Sequence, residues 1–267
     1  MMWRSYYATR VTSKLVHYIC ALPLPKSLRK TAWTWAASIF GMNLAEVELP
    51  LDEYSSFNAF FTRQLKPGVR PIDATATVVS PADGVLSSFG EFTNGQLIQA
   101  KGVYYPADLF LGGNMIRHGS MATIYLSPKD CHRVMSPVDG VLESITIIPG
   151  ALVPVREPYV STVPDLFGRN ERMVMMVTTD KGRVAVVMVG ALNVGTMTTP
   201  FDENLVTHCW GEGVRSKVFS PGQPIKKGDL LGIFHMGSTV VMVADYRWEF
   251  LEGVREFGGI RIGKGLV

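Results

Sequence analysis

A seven-residue pattern that occurs twice constrains the fold of this chain more than any other feature. It reads Ser80-Pro-Ala-Asp-Gly-Val-Leu86 at the first occurrence and Ser136-Pro-Val-Asp-Gly-Val-Leu142 at the second. In both copies a proline precedes an Asp-Gly dipeptide, which favours a tight turn, and an apolar run typical of a β-strand begins after the glycine. Two such units predict a body built largely of short strands. An aspartate in a turn of this kind is usually structural, so the pattern alone does not make Asp83 a site residue.

The sequence beyond residue 78 continues in the same way. The runs Arg172–Thr178 and Arg183–Val189 flank Thr179-Asp-Lys-Gly182, which predicts a hairpin. A third segment, Ser220–Leu231, has the turn chemistry of lipoyl-like or hybrid-motif-like β-sandwiches. These patterns predict an α+β fold, mainly β, with a compact rolled β-sandwich or barrel-like body. Helices are expected mostly near the N terminus, with one short helix at about residues 55–65.

Composition excludes several classes of protein. The chain has 267 residues, of which 47% are hydrophobic and 18% charged, so it can bury a core and is too apolar to be disordered. Its longest apolar stretches, such as Val184–Leu192, reach about half of the ~20 residues that a membrane-spanning helix needs. The three cysteines, Cys20, Cys131 and Cys209, form no CxxC pair and support neither a disulfide framework nor a zinc site.

The positive charge is concentrated at the start of the chain. Residues 1–45 contain six of the 26 Lys and Arg residues and no acid, whereas the remainder has 20 basic and 23 acidic residues. Residues 5–21 and 26–41 are predicted to form helices separated by Pro23-Leu-Pro25, and residues 1–45 also contain three tryptophans and three tyrosines. Basic and aromatic residues on short helices favour the interface of an anionic membrane. A cleaved targeting segment and ordinary packing on a core are the alternatives.

Two familiar site patterns fail on inspection. Gly258-Gly-Ile-Arg-Ile-Gly-Lys264 approaches a phosphate-binding P-loop, but Gly265 stands where Ser or Thr should follow and no helix can come after it. Asp130-Cys-His132 offers three ligand types, but no second cluster has ligand spacing, so no metal site is predicted. The absence of a GxSxG elbow and of a GxGxxG loop also weakens hydrolase and dinucleotide-binding interpretations.

Several motifs resemble, in order and spacing, those of the phosphatidylserine decarboxylase family. The similarity covers nearly the whole chain from about residue 50 and is weaker before that. The motifs that carry it are Phe57-Asn-Ala-Phe-Phe-Thr-Arg63, Ser80-Pro-Ala-Asp-Gly84, Tyr125-Leu-Ser-Pro-Lys-Asp-Cys-His-Arg-Val134, Asn170-Glu-Arg172, Val189-Gly-Ala-Leu-Asn-Val-Gly195 and Phe234-His-Met-Gly-Ser-Thr239.

The resemblance implies a proenzyme that cuts itself between Gly237 and Ser238. The Ser238 hydroxyl would attack the Gly237 carbonyl, and the resulting ester would eliminate and hydrolyse to leave a pyruvoyl group. A β chain of residues 1–237 and an α chain of residues 238–267 would result. The pyruvoyl ketone would act as the electron sink for decarboxylation of phosphatidylserine to phosphatidylethanolamine and CO2, as pyridoxal phosphate does elsewhere.

The resemblance assigns the remaining site residues, with one departure. Asp83 corresponds to the carboxylate that orients a base, and His132 to the first of two family histidines. Met135 stands where the second histidine, the usual partner of the aspartate, is expected. Methionine accepts no proton, so three interpretations stay open: His132 takes over, His235 serves instead, or the chain no longer processes itself. Asp130 could orient His132 or be a solvated loop acid.

The sequence therefore predicts a peripheral, pyruvoyl-dependent phosphatidylserine decarboxylase. Residues 1–50 would form a membrane-association segment and residues 51–267 the decarboxylase domain. The expected partners are phosphatidylserine in an anionic membrane, the two chains of one precursor and a second copy in a homodimer, with no nucleic acid. The membrane would be the bacterial cell membrane, or the mitochondrial inner membrane in a eukaryote. The alternative is an unprocessed relative, impaired by Met135, that binds anionic phospholipid without turnover.

Overall fold

A computed structural model describes residues 2–114, 116–193, 196–208, 213–236 and 239–267, with side chains from residue 9 onward. The predicted cleavage residues Gly237 and Ser238 lie outside the described residues. So do Cys209 and Gly195, the last residue of one family-like motif.

Both predicted N-terminal helices are confirmed. α1 ends where Pro23 and Pro25 interrupt the helical pattern, and α2 ends at Gly41, whose φ of 74° places it in the left-handed region. The helix predicted at residues 55–65 is shorter, and Ser56 caps its start by accepting a hydrogen bond from the Ala59 amide at 3.1 Å. The helices are α1 Met2–Ala21, α2 Lys26–Phe40, α3 Phe57–Phe61, α4 Ala107–Phe110, α5 Tyr159–Thr162 and α6 Leu166–Arg169.

The repeated Asp-Gly turns open strands, as predicted. β1 begins at Gly84 and β6 begins at Gly140. A Cβ atom at Gly84 would lie 2.3 Å from the Tyr125 carbonyl oxygen, and one at Gly140 would lie 2.4 Å from that of Thr178, so both turns need glycine. The strands are β1 Gly84–Phe92, β2 Gln96–Ala100, β3 Val103–Pro106, β4 Gly119–Tyr125, β5 Arg133–Met135, β6 Gly140–Ile148, β7 Arg172–Thr178, β8 Arg183–Val189, β9 Met197–Thr198, β10 Arg215–Ile225, β11 Leu230–Phe234, β12 Thr239–Ala244 and β13 Gly258–Ile260.

Eight antiparallel strands form one open sheet in the order β10-β6-β7-β8-β12-β4-β1-β13. The predicted hairpin is confirmed by the pairing of β7 with β8. β12, which begins one residue after Ser238, is central and pairs with both β8 and β4. β5, β11 and β9 form a smaller sheet, and its middle strand, β11, ends at Phe234. β2 and β3 form a separate pair. The predicted cleavage site therefore lies in the connection between two sheets: β11 of the small sheet precedes it and β12 of the large sheet follows it.

The structure confirms a mainly β body with its longest helices at the N terminus, and the large sheet is open rather than rolled into a closed form. The main hydrophobic core lies along the sheet. A second cluster joins α2 to α3 across residue 50 and contains Trp33, Ala36, Ala37, Met42, Val47, Tyr54, Phe60 and Phe61. Met236 packs against both clusters. Within the described ranges, no helix has the length and apolar character needed to cross a bilayer.

One face of α1 is embedded in the body. Arg10 is 2% exposed; its Nη1 donates to the Gly150 carbonyl at 2.9 Å and lies 3.4 Å from Glu171 Oε2. One turn later, Ser13 Oγ accepts a hydrogen bond from the Asn193 amide at 2.9 Å. Burial raises the pKa of Glu171 to about 7, although the Arg10 cation opposes that shift. These contacts join the basic N-terminal segment firmly to the rest of the chain.

Candidate active site

The short helix α3 lies between two histidines that border the end of β11. Asn58, in its first turn, contacts His235, and Phe61, at its end, stacks on His132. Both histidines are therefore placed by the Phe57–Arg63 motif and by the strand that leads to Gly237 and Ser238.

His132 is fully buried, and neither of its ring nitrogens has a hydrogen-bond partner among the described residues. Its ring stacks on Phe61 with centroids 4.0 Å apart, and its carbonyl accepts from the Phe234 amide at 2.9 Å. The Ser127 and Pro128 carbonyls lie close to the ring without reaching hydrogen-bond geometry. Burial, with help from the Arg63 cation, lowers the pKa of His132 to about 3. The ring is thus neutral and able to accept a proton, beside the residues that precede the predicted cut.

His235 is held by hydrogen bonds on both ring nitrogens. Asn58 Nδ2 donates to Nδ1 at 3.0 Å, which assigns the ring proton to Nε2, and Nε2 then donates to Thr198 Oγ1 at 2.9 Å. The ring of His17, on α1, lies 6.0 Å away in an edge-on arrangement. Burial, followed by the charge on His17, lowers the pKa of His235 to about 4. The nitrogen that could accept a proton is already occupied, so His235 is a positioned residue rather than an available base.

The backbone is strained directly before Gly237. Met236 has a φ of 108°, a conformation that residues with a Cβ rarely adopt and that costs of order 1–3 kcal/mol. Its side chain packs against both hydrophobic clusters, which hold the residue in place. The strained residue thus lies one position before the Gly237–Ser238 bond that is predicted to be cut.

Asp83 lies 4% exposed at the first Asp-Gly turn, but it is not paired with a histidine among the described residues. Arg70 binds both of its carboxylate oxygens, with Nη2 2.6 Å from Oδ2, and the Ile262 amide donates to Oδ1 at 2.9 Å. The same Nη2 of Arg70 also donates to Glu46 Oε2 at 2.7 Å. The sequence analysis missed Arg70, whose only signal was a cation in the Pro-Gly loop 13 residues before Asp83.

Met135 lies next to this turn, because its amide donates to the Pro81 carbonyl at 2.8 Å. Its side chain lines a cleft together with Arg70 and Cys131. The residue at this position is therefore close to the aspartate turn, as the family resemblance implies. The Asp83 carboxylate is bound by Arg70 instead of by residue 135.

Three other motif residues have structural contacts. The Asp130 carboxylate accepts from the amide and the hydroxyl of Ser127, at 2.8 and 2.6 Å, and so closes its own loop instead of bonding to His132. Asn170 bonds to the backbone of Val153 and Gly190, and the Arg172 guanidinium donates to four backbone carbonyls. Across the ranges that the structure describes, no group of three or more His, Cys, Asp or Glu side chains could hold a metal ion.

Acid is expected to destabilise the protein. His132 and His235 have folded pKa values of about 3 and 4, below the ordinary 6.5, so their contribution to stability is lost as pH falls from 6.5 towards those values. Each proton is worth about 1.4 kcal/mol per pH unit. Glu171 acts in the opposite direction, because its pKa is raised from 4.5 to about 7 and its contribution is lost as pH rises through that range. Burial also lowers the pKa of His208 to about 4, so between pH 6.5 and 4.5 the balance is about two histidines.

Thermal denaturation of an uncleaved Ser238→Ala chain at pH 7.5, 6.5, 5.5 and 4.5 measures this effect. The melting temperature should fall on the acid side, and a His132→Phe change in the same background should make that fall shallower. A melting temperature that is constant or rises on acidification would contradict the burial of neutral histidines.

Comparisons with known proteins show the family of the chain. The family model described as phosphatidylserine decarboxylase matches residues 57–267. Phosphatidylserine decarboxylase proenzymes of Pseudomonas putida strain F1 and Bordetella avium are 38% identical over 253 residues and 42% identical over 236 residues; the alignments cover 89% and 84% of this chain and 86% and 79% of those proteins. The Myxococcus xanthus proenzyme is 36% identical over 260 residues, or 94% of this chain and 91% of that protein. The chain therefore belongs to the phosphatidylserine decarboxylase family.

Proposed function

We propose that this protein is a pyruvoyl-dependent phosphatidylserine decarboxylase made as a self-cleaving proenzyme. The observation that carries the proposal is a buried, neutral His132 whose ring has no partner among the described residues and whose carbonyl is bound by Phe234, three residues before Gly237. The relatives that share its motifs are named as proenzymes of the same activity.

Self-cleavage would begin when the Ser238 hydroxyl attacks the Gly237 carbonyl. The amide becomes an ester, and removal of a proton from the serine Cα then expels the Gly237 carboxylate and leaves dehydroalanine. Water converts this residue to a pyruvoyl group and releases ammonia. His132 is the base that the geometry favours, because both of its ring nitrogens are without a partner in the described part of the chain whereas those of His235 are bonded.

The surroundings of His132 would suit a pyruvoyl group derived from Ser238. When present, the group would supply a ketone that reacts with the primary amine of the substrate and takes up the electrons left as CO2 departs. The buried ring nitrogens of His132 offer an unsatisfied donor and acceptor for such chemistry, and Phe61 excludes water from one face of the ring. His132 would accept the proton that the substrate ammonium loses as it reacts and would then return this proton to the carbon that loses the carboxylate.

In this proposal Asp83 stabilises the site without orienting a histidine. Its carboxylate fixes Arg70 on one side and accepts the Ile262 amide on the other. Ile262 belongs to the proposed α chain, so Asp83 would tie the two chains together after the cut. β12, inserted between β8 and β4, and β13, paired with β1, would hold the α chain along the rest of its length.

Release of labelled CO2 tests the activity. Mixed micelles that contain phosphatidylserine labelled at its carboxyl carbon should yield labelled gas and phosphatidylethanolamine with the purified protein. A carbonyl-trapping reagent such as phenylhydrazine should abolish the release, because the active group is a ketone. Turnover that survives this reagent would contradict a pyruvoyl enzyme.

Exposed apolar faces on the N-terminal helices support membrane association. On α1 the face opposite Arg10 and Ser13 presents large apolar side chains that are 53–59% exposed: Val11, Leu15, Tyr18 and Ile19. Leu22, directly after the helix, is 62% exposed. On α2 Leu28, Trp35 and Ile39 are 55–69% exposed. Lysines and arginines flank both faces, which suits a peripheral protein on an anionic surface. We propose residues 1–50 as the membrane-association segment. The bacterial relatives favour the bacterial cell membrane.

Charging the outer face of α1 is expected to release the protein from membranes. A Leu15→Glu, Ile19→Glu variant loses two apolar side chains worth about 1.5–3 kcal/mol each and adds repulsion from anionic lipid. Sedimentation with phosphatidylglycerol-containing vesicles should show partitioning reduced about 10²-fold, and binding of the parent should weaken at high salt. Val214→Glu with Val218→Glu, at two valines that are 64% and 73% exposed away from α1, is the matched control. Equal binding by the α1 variant and this control would exclude α1 as the docking surface.

A further inference from the structure

A cleft of about 390 Å³ opens beside the candidate active site. Its walls are formed by the segment after α2, by Arg63, by the loop before β5 and by β13. It reaches Cys131, the residue before His132, and Asp83. The cleft is therefore continuous with the site but is used by none of the steps above.

Arg63 is the unusual group in this cleft. Its side chain is 3% exposed and no carboxylate of the described residues lies within ion-pair distance of it. Nη2 donates to the Lys129 carbonyl at 2.8 Å and more weakly to that of Asp130 at 3.4 Å, Nη1 donates to the Phe61 carbonyl at 3.4 Å, and the Phe60 ring lies 5.7 Å from the guanidinium carbon. The buried Nε has no partner among the described residues. A buried guanidinium is costly unless its charge is compensated. Such a charge, facing a cleft, indicates that an anion completes the site.

The three carboxylates in the cleft do not compensate Arg63. Glu46 and Asp83 are both bound by Arg70, and Asp130 is bound by Ser127. Lys129 adds an exposed ammonium that makes no ion pair within the described ranges. The cleft thus retains positive charge after its internal pairs are counted.

The remaining wall includes β13, in the glycine-rich segment that approaches a P-loop sequence but lacks its Ser or Thr. A Cβ atom at Gly259 would meet nothing within 4 Å, so the backbone lies open at this wall. Arg261 stands at the rim with 68% of its side chain exposed and its Nη1 3.6 Å from Glu46 Oε1. Arg63, Lys129 and Arg261 therefore surround the cleft from three different segments.

The position of the cleft suggests the source of the anion. Gly41, at one wall, directly follows Phe40, and the exposed apolar side chains Trp35 and Ile39 lie on the preceding helical turns. An anion in the cleft would lie between Gly41, which follows this helix, and Cys131, the residue before His132. That arrangement matches a phospholipid, in which a phosphate joins acyl chains to a reactive headgroup.

We propose that this cleft binds the phosphodiester of a phospholipid, with Arg63, Lys129 and Arg261 as its cationic ligands. The inference rests on the proposed function, since it names how that site would hold phosphatidylserine. The phosphate is favoured over the serine carboxylate for a chemical reason. A cation bound to the carboxylate would stabilise the ground state and oppose its loss as CO2.

Binding to the uncleaved Ser238→Ala chain tests the proposal without turnover. Calorimetric titrations would use inorganic phosphate and, below its micelle concentration, dihexanoyl phosphatidylglycerol, which has a phosphodiester but neither amine nor carboxylate. Both probes should bind, and binding should weaken with salt. The lipid should bind more tightly, because its chains can contact the apolar face of α2. Tighter binding of inorganic phosphate would overturn the lipid assignment.

Variants identify the ligands. Lys129→Gln with Arg261→Gln should weaken both probes about tenfold, as expected for the loss of charge-assisted hydrogen bonds. Lys101→Gln with Lys181→Gln removes the same charge from exposed turns elsewhere and should change neither titration. Arg63→Met should weaken binding further, and its melting temperature reports whether it folds. Unchanged affinity in the Lys129, Arg261 variant would overturn the site even if Arg63→Met does not fold.

The outcome is separable from that of the proposed function. The affinity for both probes can stay unchanged in these variants while the parent protein cleaves itself, in which case only the cleft is reassigned. Conversely, a parent that never cleaves but shows this binding pattern would retain the site and lose the enzyme.

Discussion

A Ser238→Ala chain is expected to remain a single uncut species and to release no CO2 from phosphatidylserine. Alanine has no hydroxyl to attack the Gly237 carbonyl, so neither the ester nor the ketone derived from it can form. The loss should be complete, because no other residue replaces the group that is made from the serine itself. Gel electrophoresis and the labelled-substrate assay measure the two effects on one preparation.

Ser238→Thr and Ser238→Cys are the informative companions of this variant. Each retains a nucleophile, so partial cleavage is expected from them and none from alanine. Turnover by Ser238→Ala close to that of the parent would rule out a serine-derived ketone. Cleavage without turnover in one companion would separate processing from decarboxylation.

Replacing His132 by phenylalanine is expected to slow self-cleavage by about 10²–10⁴-fold. Phenylalanine preserves the ring that stacks on Phe61 and removes both unpartnered nitrogens. The variant should therefore fold with a melting temperature near that of the parent while losing the proton acceptor. The time course of cleavage after synthesis, followed by mass, gives the rate.

The matched control is His235→Asn. It removes a second buried ring, but one whose nitrogens are already bonded to Asn58 and Thr198, so a smaller effect is expected. Met135→His adds a ring beside the aspartate turn. If it restores cleavage to His132→Phe, either position can provide the base. A His132→Phe chain that cleaves and turns over at the parent rate would exclude His132 from both steps.

The local elements of the fold could be predicted from the sequence because each depends on neighbouring residues. The Asp-Gly turns before β1 and β6 require glycine for close backbone approach, and the β7–β8 hairpin follows from one turn between two apolar runs. The order of the strands could not be predicted in this way. β12 lies between β8 and β4 because of pairing between distant segments, on which the local pattern carries no information.

The candidate site was predicted only as a set of residue types. The family resemblance implied Asp83, His132 and the Gly237–Ser238 bond, but it did not indicate which group faces which. The Arg70–Asp83 pair depends on a loop folding back across β1, and the availability of His132 depends on burial beneath α3. The Arg10–Glu171 contact likewise joins residues 161 positions apart. Such partners are set by tertiary packing, so the sequence analysis missed them.

Intact-protein mass spectrometry of the freshly purified chain tests the central claim most directly. Cleavage before Ser238 would release a 30-residue chain, about one-ninth of the 29.4 kDa precursor. Its mass should be lower than that of the serine peptide, and its N terminus should be blocked, because a ketone replaces the amine. We expect this fragment together with the complementary chain of residues 1–237. A single species at 29.4 kDa that persists for days, with or without lipid, would contradict the account and favour an unprocessed phospholipid-binding protein.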